Sequence, residues 1–118
     1  MKKIMNTELS IKNVDEEVEL HGWVSKKRNL GGLIFIDLRD RSGIIQLVIR
    51  PEDNLDDVVS ELRNEYVIRV KGIVSERESK NDKLATGEIE ILVKELEMLK
   101  YWENREKWLK SKKKKDRD

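Results

Sequence analysis

Over residues 18–26 apolar and polar side chains alternate one for one. Val18, Leu20, Gly22 and Val24 fall on one face, and Glu19, His21, Trp23 and Ser25 on the other. A period of two belongs to extended backbone, and the two faces it makes must meet a core and water respectively. The same pattern returns over residues 33–39, where Ile34, Ile36 and Leu38 point one way and Leu33, Phe35, Asp37 and Arg39 the other. It returns again over residues 44–50, with Ile45, Leu47 and Ile49 inward and Ile44, Gln46, Val48 and Arg50 outward. Three half-buried strands in a row leave few architectures open.

The punctuation between them fits. Gly22 inside the first strand marks a sharp bend or bulge of the kind small barrels need at corners. Residues 26–32, ending in Gly31–Gly32, read as a turn, and Asp40–Arg41–Ser42–Gly43 as the tight link of a hairpin. After Pro51, the residues Leu55, Val58, Val59 and Leu62 take helical spacing, with Asn54 or Asp53 expected as the N-cap. Residues 66–77 form a fourth strand with Gly72 at its middle, and residues 78–87 a polar loop. Residues 88–99 form a fifth strand with Ile89 and Ile91 inward and Glu88 and Glu90 outward; its later part, residues 94–99, alternates less cleanly and also fits a helix. Three strands, one helix, then two strands in about a hundred residues predicts a five-stranded, partly open OB-fold Greek-key barrel, all-β with one helix. An SH3-like barrel is the rival, and a full helix between strands three and four argues against it.

Composition closes off several functions. The chain has 118 residues, no cysteine and one histidine, His21. That excludes disulfides, thiolate sites and paired-histidine metal motifs, and no cofactor is expected. No apolar run reaches the roughly 18–20 residues that cross a bilayer, so the expectation is a cytoplasmic chain with no membrane partner. The net charge of +1 is unevenly spread. From Lys100 to Asp118 there are nine basic and four acidic residues, a balance of +5, against 16 basic and 20 acidic before them, or −4. Residues 1–99 therefore read as one barrel domain and residues 100–118 as a Lys-rich tail. Any nucleic-acid role must rest on local clusters and on that tail.

The outer face of strands two and three in such a barrel is where oligonucleotides usually bind. Phe35 lies there. It either packs under a loop or offers a surface on which an unpaired base stacks. Gln46 lies on the matching face of the next strand, and its amide carries donors and acceptors for a base edge. Lys26, Lys27 and Arg28 gather at the mouth of the first turn, placed for phosphates or simply solvated. Glu90 faces the same way as Phe35 if the alternation holds. No phosphate-binding glycine loop and no Ser–His–Asp set is present, and Gly31–Gly32 lacks the pattern of a P-loop.

Leu20–His21–Gly22–Trp23–Val24, the run from Lys27 through Gly31–Gly32 and Asp37–Leu38–Arg39–Asp40 to Gln46, Glu61–Leu62–Arg63–Asn64–Glu65, and Ala85–Thr86–Gly87–Glu88–Ile89–Glu90 together resemble the N-terminal anticodon-binding domain of bacterial-type aspartyl-tRNA synthetases. The resemblance covers roughly residues 8–99, and the last segment favours the aspartyl branch over the lysyl and asparaginyl ones. It implies a barrel that grips a tRNA anticodon loop with its bases splayed out. Phe35 would then stack on the middle uridine and Gln46 bond its edge. Arg28 would contact the anticodon backbone or bases, Glu90 a guanine-type first base, and Arg77 would assist. Val48 departs from the pattern, since relatives often carry an aromatic there.

The end departs further. Where the family has a linker and a class II catalytic domain with ATP and aspartate sites, this chain has Tyr101, Trp102, Trp108 and a run from Lys112 to Lys115. The expectation is therefore a binding module and not an enzyme, without its own aminoacylation. The tail either docks on the barrel through Tyr101, Arg105, Trp108 and Leu109 or is a basic, solvated arm. Two other readings stay open: a fragment of a full ligase, partnered by a catalytic domain on another chain, and a repurposed protein-interaction barrel.

Overall fold

The computed structural model describes residues 4–99. The expected tail, residues 100–118, lies outside the described residues. Five strands, β1 (Glu17–Leu30), β2 (Leu33–Asp40), β3 (Gly43–Ile49), β4 (Val67–Glu76) and β5 (Ile89–Leu99), and one helix, α1 (Asp56–Glu61), follow the predicted order. The strands hydrogen-bond in the order β1-β2-β3-β5-β4 and close into a barrel through β1 and β4. Closure rests on one short parallel seam, where Gln46, Leu47 and Val48 of β3 face Glu90, Ile91 and Leu92 of β5.

The alternation decides what lies inside. Ile36, Leu38, Ile45, Leu47, Val70, Ile89 and Ile91 are fully or almost fully buried, and Ile34 packs against that cluster while half-exposed. Each such side chain contributes about 1.5–3 kcal/mol by leaving water. α1 lays Val59 on the same core, and Leu62, which ends the helix, joins it there.

Gly22 sits where β1 changes partners. Trp23 pairs with Arg39 of β2 on one side and Val67 of β4 on the other. A Cβ at Gly22 would strike the Arg39 carbonyl oxygen, so the corner admits no side chain.

Local expectations are corrected at the first turn and at the helix cap, and the helical alternative for residues 94–99 falls away. The first turn is only Gly31–Gly32, with φ of 58° and 91°. Two successive positive φ values make the tight turn that matches strand twist, so β1 runs on to Leu30 and Lys26, Lys27 and Arg28 are strand residues. A bulge between Val24 and Lys26 then shifts the register. It moves Lys26 and Arg28 to the outer face opposite Asp37 and Phe35, and Lys27 to the inner face opposite Ile36.

The helix is also capped differently. Its N-cap is Leu55, without a side-chain bond, because Asn54 is left-handed at φ 57° and Asp53 instead binds Arg50. Finally, residues 94–99 are strand throughout. A bulge opposite Lys71 and Gly72, where Glu95 and Val93 flank Lys94, accounts for the broken alternation there.

The N-terminal segment is fastened to the β2–β3 hairpin. Asn6 is buried; its backbone N–H donates to Asp40 Oδ2 at 2.8 Å, and its amide to the carbonyls of Leu38 and Gly43 at 2.9 and 3.0 Å. Asp40 Oδ1 accepts from the Ser42 N–H and hydroxyl at 2.8 and 2.6 Å and from Gly43 at 3.1 Å. Burial alone would raise the Asp40 pKa; the bonds from Ser42, Asn6 and Gly43 outweigh it and hold the carboxyl below its ordinary value. Across the barrel, the Thr86 hydroxyl donates to the Ile44 carbonyl, tying the loop before β5 to the start of β3.

Candidate nucleic-acid interface

On the outer face of β1, β2 and β3, bounded by the ends of β4 and β5, lies an open groove of about 500 Å³. Arg28, Phe35, Gln46, Arg77 and Glu90 all line it. The register brings them together. Arg28 sits opposite Phe35, Phe35 opposite Val48, and Gln46 opposite both Asp37 and Glu90. Five residues scattered from position 28 to position 90 thus form one surface.

A chain of hydrogen bonds crosses its floor. Arg28 Nη2 donates to Gln46 Oε1 at 3.3 Å, and Gln46 Nε2 donates to Glu90 Oε1 at 2.9 Å. The Arg28 guanidinium also lies 4.0 Å from Asp37 Oδ1, and its carbon stands 5.6 Å from the centre of the Phe35 ring. That is within the range where a cation is attracted by an aromatic face. Gln46, expected on the outer face as a reader of a base edge, is only 6% exposed. Its amide is held by a cation on one side and a carboxylate on the other. Phe35 itself is half-exposed.

The basic cluster of β1 divides. Lys26 is exposed opposite Asp37. The Lys27 ammonium donates to the carbonyls of Val59 and Leu62, both at 3.0 Å, at the C-terminal end of α1. The Val59 carbonyl also accepts the capping N–H of Leu62 at 3.1 Å, and a cation at this end meets the negative end of the helix dipole. Lys27 does not line the groove. The bulge at Ser25 sends it inward while Arg28 goes outward, and nothing in the run of three basic residues signals that split.

Of the opposite wall only Arg77 was anticipated. Ser75, Glu76, Glu78 and Ser79 line the groove with Arg77, and Leu30 and Leu33 form its lip. Ser75 pairs with Glu90, and Leu30 is 55% exposed. Alternation through Val70, Gly72 and Val74 does put Ser75 outward, but only the β4–β5 pairing places it beside Gln46's partner. Among the described residues no group of three or more His, Cys, Asp or Glu is arranged to hold a metal, and no helix is long and apolar enough to cross a membrane.

A closed five-stranded barrel with a helix between its third and fourth strands, carrying an aromatic and polar groove on its β2–β3 face, defines an OB-fold of the oligonucleotide-binding kind. Residues 18–99 match the OB-fold nucleic acid binding domain family, and the chain belongs to it. It is 51% identical over 96 residues to the aspartate–tRNA ligase of Listeria welshimeri, covering 78% of this chain and 16% of that protein. To the aspartate–tRNA ligase of Mycoplasma capricolum it is 54% identical over 89 residues, covering 75% and 15% respectively. Among solved structures, the asparaginyl-tRNA synthetase of Pyrococcus horikoshii with asparaginyl-adenylate superposes with a TM-score of 0.73 at 26% identity, over 85% of this chain and 23% of that one. The chain therefore spans about one-sixth of the length of the curated relatives it matches.

Proposed function

We propose that the groove binds the anticodon loop of an aspartate-type tRNA, the class of tRNA named by its aspartate–tRNA ligase relatives. The observation that carries the proposal is the convergence of Phe35, Arg28, Gln46 and Glu90 in one open groove. A stacked base needs an aromatic face, and an unpaired base edge needs fixed donors and acceptors beside it. Phe35 is assigned the middle base, Gln46 its edge, and Glu90 the N–H groups of a guanine-type first base. Arg28, Lys26 and Arg77 are assigned backbone phosphates or base contacts. Lys27, the third member of the basic cluster, keeps a phosphate role in this reading only if its ammonium leaves the α1 carbonyls.

Residues 1–99 form the binding domain of this reading and residues 100–118 an appended basic segment. Binding is assigned to this chain, in the cytoplasm and without a cofactor; amino-acid activation is assigned to a class II catalytic domain, whether continuous with it or on another chain. The test is filter binding of the full chain to a panel of tRNAs. Aspartate-type tRNA should be retained most strongly, with asparagine-type tRNA next. Equal retention of the whole panel would refute specific reading, and no retention at low salt would favour a protein-interaction role.

A further inference from the structure

We propose that Arg28 and Glu90 are positioning residues that fix which side of the Gln46 amide offers its acceptor and which its donors. This fixed polarity, more than the amide itself, is what separates uridine from cytidine. The inference rests on the base-reading role proposed above.

A glutamine amide can turn end for end with almost no change of shape. Here the turned form sets the Gln46 NH₂ against the Arg28 guanidinium, donor against donor, and its oxygen against the Glu90 carboxylate, acceptor against acceptor. The observed form does the reverse at both ends, with bonds of 3.3 and 2.9 Å. Each bond involves a charged partner; the one to Glu90 has the length of a charge-assisted bond, and the one from Arg28 is longer and weaker. At 6% exposure, Gln46 has little water to replace either bond. The two charges therefore act together on one torsion.

After those two bonds the amide still holds one N–H and one oxygen lone pair. Uridine presents an N3–H donor beside an O4 acceptor, and cytidine presents the reverse, an N3 acceptor beside an N4–H₂ donor. A freely turning amide satisfies either base. A locked one, facing a base whose plane is set by stacking on Phe35, matches only one.

The experiment uses the full chain and two isolated anticodon stem-loops that differ only in a middle uridine or cytidine. The first base is kept the same, so any contact it makes with Glu90 cancels in the ratio of affinities. Glu90→Gln keeps size and hydrogen bonding but supplies an amide that accommodates either orientation of Gln46; Arg28→Met removes the donor at the other end. Both should narrow the uridine-to-cytidine ratio by about five-fold or more, as should Gln46→Ala. If Gln46→Ala collapses the ratio while Glu90→Gln and Arg28→Met preserve it, the lock is wrong and base reading stands. If Gln46→Ala leaves the ratio intact, base reading fails and the lock with it.

Discussion

Two charged side chains outside the groove show how single residues were committed by their neighbours. Asp40 accepts four hydrogen bonds from Asn6, Ser42 and Gly43. Its folded pKa is lowered from an ordinary value near 3.8, so its stabilisation is present above that value and is lost as pH falls through the depressed one. Asp40→Asn should therefore cost about 1–3 kcal/mol in urea unfolding at about pH 7. The gap from the parent chain should shrink on acidification below the ordinary carboxylate value; a gap independent of pH would mean the carboxylate charge does not matter. Lys27 makes a complementary case. Lys27→Met removes the ammonium that bonds both the Val59 and Leu62 carbonyls, and should lower stability by about 1–2 kcal/mol, discounted for partial exposure. Its RNA affinity, measured at a temperature where both proteins are folded, should stay within about two-fold of the parent, whereas losing a phosphate contact would also reduce the salt slope.

At the scale of strands and turns, the glycines separate steric need from backbone need. Gly72 lies at the β4–β5 bulge, where a Cβ would come within 2.5 Å of the Leu92 carbonyl oxygen and 2.6 Å of the Ile91 methyl. Gly72→Ala should cost about 2–4 kcal/mol, because backbone of the partner strand must move. A Cβ at Gly31 meets nothing within 4 Å, and its φ of 58° is the only objection, so Gly31→Ala should cost about 1 kcal/mol. Thermal unfolding of the two variants should rank them in that order. The same distinction explains what could be read beforehand. Ile34, Ile36, Ile45 and Leu47 announce their strands because one face is buried and the other wet, and that alternation alone placed Phe35, Gln46 and Glu90 outward. The bulge at Ser25 was illegible because Ser25, Lys26, Lys27 and Arg28 are all polar, and a one-residue slip among polar side chains changes no hydrophobic pattern. The Ser75–Ser79 wall was illegible for another reason: its place beside Gln46 depends on pairings between strands far apart in sequence. Burial of Gln46 followed from the same seam.

For the whole molecule, charge is the quantity that local structure does not determine. Residues 1–99 carry a balance of −4, and within the groove Glu76, Glu78 and Glu90 stand against Arg28 and Arg77. A surface of this kind can discriminate bases, but it attracts a phosphate backbone weakly, because long-range attraction follows the summed charge. The stretch from Lys100 to Asp118 reverses the sign with a balance of +5, and six of its nine basic residues lie at or beyond Lys110. Affinity that comes from neutralising phosphates releases counterions and is blind to sequence, so it appears as a slope against salt and not as a preference among tRNAs. Deleting residues 110–118 should therefore weaken binding to every RNA by a similar factor and flatten the dependence of log affinity on log salt. The uridine-to-cytidine ratio at the middle base should be unchanged, because Gln46 and its two charged neighbours all remain. Filter binding of the full and shortened chains across a salt series, with both stem-loops, measures the two quantities together. An unchanged slope would leave phosphate attraction to Lys26, Arg28 and Arg77 alone, and a changed base ratio would mean that the basic segment reaches the groove.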